Sequence, residues 1–100
     1  MPAYHYTNGR IGTTLETLVR ADRPLVVTTI VVCNTDTSNR NFDLRHVPAD
    51  EDATDDHSLF HLLVVRSNTS QTIELDLYLQ PGDSLQAYAS SADVVAVHVY

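Results

Sequence analysis

The chain has 100 residues, 43% of them hydrophobic, and a formal net charge of −7, with all six basic residues being Arg. That suffices for one domain with a single core, and the acidity argues against a nucleic-acid partner, which needs a basic surface to neutralise phosphates. No run of about 18 apolar residues offers a membrane span, no basic-then-apolar leader opens the chain, and the lone Cys33 leaves no intrachain disulfide or zinc-thiolate cluster.

Residues 1–13, MPAYHYTNGRIGT, show no sustained periodicity. They read as an extended N-terminal arm with a turn at Asn8 and Gly9. Tyr4, Tyr6 and Ile11 are expected at an interface, since aromatics in a purely solvated tail are unusual; a frayed terminus is the plainer alternative. Residues 14–20, TLETLVR, are too short for a stable helix and read as a strand, turned by ADRP into a hairpin with the next one.

The longest apolar run is PLVVTTIVVCNTD, residues 24–36. Its β-branched residues suit a pleated, buried surface. Pro24 sets the backbone at its start, and Asn34, Thr35 and Asp36 supply turn chemistry at its end. Apolar groups fall on both alternating faces, which predicts a central strand covered by a second sheet on one side and by a neighbouring subunit or an arm on the other. Val27 and Val31 are therefore candidate interface residues, and Cys33 is expected to be buried and inert.

Further on, FDLRHV (42–47) alternates Phe42, Leu44 and His46 with Asp43 and Arg45, a half-buried strand that Pro48 stops. ADEDATDDH (49–57) is an exposed acidic loop, and LFHLLVV (59–65) is a second apolar run. In 72–79, Ile73, Leu75, Leu77 and Leu79 alternate with Thr72, Glu74, Asp76 and Tyr78. A Pro81–Gly82–Asp83 turn leads into 84–89, and 94–100 closes the chain with Val95, Val97 and Val99 on one face. The pattern predicts an all-β antiparallel β-sandwich, jelly-roll-like, of about seven to eight short strands. The domain plan is an arm over 1–13 and one sandwich over 14–100.

Chemistry-bearing groupings are few. Asp50, Asp52, Asp55 and Asp56 are hard oxygen ligands of the kind Ca²⁺ takes, but the loop lacks the glycine and the spacing of an EF-hand. A solvated, charged loop is the reading, with a structural cation as the alternative. His5, His46, His57, His61 and His98 form no HxH or HExxH pattern, and no nucleophile signature occurs. Neither a catalytic residue nor a cofactor is expected.

Two segments, VVTTIVVCNTD (26–36) with NFDLRHVP (41–48), and LDLYLQPGDSLQAYASSADVVAVHVY (75–100), resemble a group of small virion proteins of tailed bacteriophages. The shared pattern is a strand ending in Asn, a Ser/Thr-rich loop and a further strand, then an L-x-x-G-D-x-L turn, short strand, polar turn and final strand. The chain departs from it in having ADEDATDDH where many members are Gly-rich, and ADRP in place of their TVP-G lead-in to the first hairpin. The resemblance implies a non-enzymatic structural protein: a capsid decoration or head-spike subunit, or a tail or fibre-attachment component.

The expectation is thus a virion protein, assembled in the host cytoplasm, that forms a homo-oligomer, most simply a trimer. It would contact major capsid, tail or spike proteins and neither nucleic acid nor membrane. The alternative is a glycan-binding adsorption module of the phage tail that uses Tyr78, Tyr88 or Tyr100 with loop carboxylates such as Asp55.

Overall fold

Period-two alternation of apolar and polar residues becomes eight strands in the structure, a computed structural model that describes residues 6–91 and 94–100. These are β1 (Tyr6–Ile11), β2 (Glu16–Arg20), β3 (Leu25–Asn34), β4 (Arg40–Val47), β5 (Ser58–Val65), β6 (Thr69–Leu79), β7 (Ser84–Ala89) and β8 (Val95–Val99). A 3₁₀ turn, Asp55–His57, precedes β5.

The strands form two four-stranded antiparallel sheets, ordered β1-β8-β3-β6 and β2-β7-β4-β5. The pairing is nested: β1 with β8, β2 with β7, β3 with β6 and β4 with β5. The contacts β3–β8 and β4–β7 complete the sheets. The inner faces meet in one core, with Ile11, Ile30, Val32, Val97 and Val99 from the first sheet and Phe42, Leu44, Val65, Leu85 and Ala87 from the second. Each large side chain so buried contributes roughly 1.5–3 kcal/mol. The expected all-β sandwich is therefore what forms.

Several expectations need correction. Residues 6–11 of the expected arm are β1, hydrogen-bonded along β8, and Ile11 lies fully buried in the chain's own core. Instead of a turn at Asn8 and Gly9, β1 carries a register shift between Thr7 and Gly9, so one extra residue bulges while pairing continues. Strands β2 and β3 make no hairpin, because they belong to opposite sheets.

Strand β3 is central, as expected, but the chain covers only one of its faces. Val27, Ile30, Val32 and Asn34 are buried; Val31 and Cys33 are half-buried on the outer face, and Val26 is exposed. The step of three between the inward Val27 and Ile30 is a β-bulge: Thr28 and Thr29 both donate their N–H to the Tyr100 carbonyl, at 2.9 and 3.4 Å.

Two buried polar residues fasten the loops. Asn34 donates through Nδ2 to the carbonyls of Ser38 and Val65, each at 2.9 Å, and accepts the Asp36 N–H at 2.9 Å. Because Val65 belongs to β5, Asn34 ties the end of β3 to the opposite sheet. Asp83, in the β6–β7 turn, accepts the N–H groups of Gln80 and Ala49 at 3.0 Å and meets His46 Nε2 at 3.0 Å. Gly82 before it has φ 92°, and a Cβ there would lie 2.8 Å from the Ala49 Cβ. Glycine is thus required twice over, for its backbone angle and for its lack of a side chain.

Candidate functional site

The most unusual local structure is the edge where β5 pairs with β4. Phe42 lies opposite Leu63, whereas Leu44 lies opposite Phe60, so Asp43 faces both His61 and Leu62. Leu62 takes φ 55° to fit this bulge, in the left-handed region that costs a leucine about 1–2 kcal/mol. A strained residue of this kind persists only where its surroundings hold it.

Asp43 does the holding. Its Oδ1 accepts the Leu62 N–H at 2.9 Å, and its Oδ2 accepts from His61 Nδ1 at 2.8 Å. Strand alternation places Asp43 on the outer face of its sheet, where solvent exposure was expected, yet its side chain is only 3% exposed. The β5 bulge closes over it on one side and Tyr88, its register partner on β7, does so on the other. Burial pushes the Asp43 pKa up, but hydrogen bonds from the Tyr88 hydroxyl, the Leu62 N–H and His61 together bring it below the usual carboxylate value. The same bond to Asp43 raises the pKa of Tyr88. The Arg45 guanidinium lies 5.8 Å from the centre of the Tyr88 ring, within cation–π range.

A His–Asp pair is a familiar fragment of hydrolytic sites. Here the carboxylate also holds the Leu62 N–H and takes the Tyr88 hydroxyl, so with three donors it braces the β5 bulge. It fixes an edge strand whose apolar side chains look outward: Leu62 is 54% exposed, Val64 52%, and Leu59 is exposed as well. Behind them Phe60 and Leu63 are only half-buried, as are Ile73, Leu75 and Leu77 on β6, the edge strand of the other sheet on this flank. The chain leaves this flank of its own core partly uncovered.

The residues singled out from the sequence fare differently. Tyr4 lies outside the described residues, and of Tyr6 only the backbone, in β1, is described. Ile11 and Val27 pack inside the chain, which assigns them to its core; Val31 stays half-buried on an outer face. Asp50, Asp52 and Asp56 are exposed and Asp55 begins the 3₁₀ turn, its side chain outside the described part. No group of three or more His, Cys, Asp or Glu is placed to hold a metal ion among the described residues. The loop is instead knit by His57, whose Nδ1 accepts the Thr54 N–H at 3.1 Å while Nε2 faces Glu51 Oε1 at 3.4 Å.

Sequence reasoning missed Asp43, Tyr88 and the outward set on β5 as one unit, since pairing across three strands brings them together. The available signal was an apolar run with no charged residue in a chain rich in acids. No family model, curated protein or solved structure matches the chain.

Proposed function

We propose that this chain is a non-enzymatic structural component of a tailed-phage virion. It is a jelly-roll-like sandwich that assembles as a small symmetric oligomer on the capsid, as decoration or cement, or on the spike or tail exterior. The nested strand pairing carries this reading. Pairing of first with eighth strand, second with seventh, third with sixth and fourth with fifth is the order produced when one long hairpin rolls into two facing sheets. Such eight-stranded jelly rolls are an architecture of viral capsid proteins, and also of lectin domains and cupins. The uncovered flank at β5 and β6 supports assembly, because an exposed apolar edge is otherwise an aggregation hazard. Light scattering together with co-sedimentation on capsids or tails tests the proposal. An oligomer that sediments with particles is expected; a monomer at high micromolar concentration that binds neither capsids nor tails overturns it.

One observation favours the glycan-binding module as a second reading, though at a different place from the one expected. Where β3 and β6 lose register, a shallow groove of about 350 Å³ is lined by Thr28, Thr29, Glu74, Leu75 and Asp76. Tyr78, 67% exposed, follows Asp76 on the outer face of β6, and the Tyr100 backbone hydrogen-bonds to Thr28 and Thr29 at the groove. Tyr88, by contrast, is half-buried against Asp43. On this reading Tyr78→Ala or Asp76→Ala abolishes adsorption to host glycans while assembly is unchanged. Adsorption unaffected by both substitutions removes it.

A further inference from the structure

Four strands form the edges of the two sheets, and three of them carry charge: Arg10 on β1, Glu16 and Arg20 on β2, Glu74 and Asp76 on β6. Charged side chains, prolines and bulges are among the ways natural proteins keep edges from pairing; of these β5 carries only bulges. Strand β5, SLFHLLVV, has no Asp, Glu, Lys or Arg in its eight residues and no proline. It offers an edge of backbone donors and acceptors flanked by apolar side chains on both faces.

We propose that β5 pairs with β5 of a second copy of this chain, antiparallel and about a two-fold axis, joining the two β2-β7-β4-β5 sheets into one eight-stranded sheet. This rests on the assembly reading above and gives it a contact surface.

The register follows from the faces. Before the bulge Phe60 is inward and Leu59 outward; after it Leu63 is inward and Val64 outward. In an antiparallel pair, opposed residues share a face. Between Leu59 and Val64 one register satisfies this: Leu59 opposite Val64 of the other copy, Phe60 opposite Leu63, and His61 opposite Leu62; a second bulge, where Leu44 pairs with Phe60 but Arg45 with Ser58, bounds it. The two-fold axis then passes between His61 and Leu62, so the bulge braced by Asp43 lies at the centre of the contact. Phe60 and Leu63, half-buried in one chain, complete each other's cover.

Charge selects the same occupant. This register brings Arg66, just past the end of β5, to the 3₁₀ turn Asp55–His57 that precedes β5 of the other copy, and so toward its Asp56, both Arg66 and Asp56 being exposed. The acidic end of each strand thus meets the basic end of the other, twice by symmetry. A parallel pairing would place like ends together. Isologous contact also closes at two copies, leaving no free β5 edge.

Sedimentation velocity on the full chain over a micromolar concentration series tests this, with circular dichroism to confirm folding. The wild type is expected at twice the 11.1 kDa chain mass. Val64→Lys, at an exposed position the fold does not need, is expected to give a folded monomer. Arg66→Glu is expected to weaken the dimer about tenfold or more, by placing like charges together, and Arg66→Glu combined with Asp56→Arg to restore it. A wild-type monomer, a Val64→Lys variant of unchanged mass, or a double variant no tighter than Arg66→Glu alone overturns the proposal. The virion reading is judged separately, by whether the chain is found in particles: a dimer absent from particles ends that reading and leaves this one standing.

Discussion

Asp43 is the residue on which most depends. A carboxylate at 3% exposure is tolerable only because donors from three directions meet it, and Asp83 is held in a comparable way by two backbone N–H groups and His46. For both, burial raises the pKa, but hydrogen bonding outweighs it and the folded value lies below the ordinary one near 3.8. A carboxylate with a lowered folded pKa stabilises the protein above its unfolded value, and that contribution fades as pH falls through the folded value. Urea unfolding midpoints should therefore hold from neutral pH down to about 4 and drop below it. In Asp43→Asn the drop should be shallower and start from a lower plateau. Equal acid slopes for wild type and variant would contradict this account of Asp43.

Asn34 makes the corresponding case for a neutral side chain. Its amide bridges β3 to the Val65 carbonyl and the Ser38 carbonyl, and its oxygen takes the Asp36 N–H. Asn34→Ala leaves those groups without their partner in a buried setting, and should cost about 2–4 kcal/mol of unfolding free energy in denaturant titration. A loss under about 0.5 kcal/mol would mean that water replaces the amide fully.

At the scale of elements, β5 is the strand that pays for its shape. Leu62 at φ 55° is strained where glycine would not be, yet a leucine there adds exposed apolar surface to the edge. Leu62→Gly should accordingly raise monomer stability by up to about 1 kcal/mol while weakening self-association. Opposite signs in denaturant titration and sedimentation are the expected pair of results. A variant that loses both stability and association would show that Leu62 serves packing within the chain.

How far these elements were legible follows from their periodicity. Strands β6 and β8 alternate strictly, and both lie close to where alternation puts them. Strand β1 reads as an arm in the sequence because Gly9 and the extra residue between Thr7 and Gly9 interrupt its period. The burial of Asp43 was invisible, since it arises from a bulge in one neighbouring strand and a tyrosine on another. The two apolar runs look much the same in the sequence, but β3 lies inside its sheet and β5 at an edge. Apolar groups on both faces signal burial, and a sequence does not say whether the cover comes from the same chain or another.

For the whole molecule, eight strands in nested pairs build a thin slab, 38 × 32 × 18 Å, with one flank where the core shows through between β5 and β6. A net charge of −7 keeps such slabs apart in general, and the uncharged β5 edge is the exception that lets two of them meet. The virion reading and the β5 contact come together in a single observation, a density map of intact phage particles that contain this chain. Copies are expected on the particle exterior, related by symmetry, with β5 of one copy running antiparallel beside β5 of the next. Copies that lie inside the particle, or that bury another face and leave Leu62 and Val64 in solvent, would contradict that arrangement.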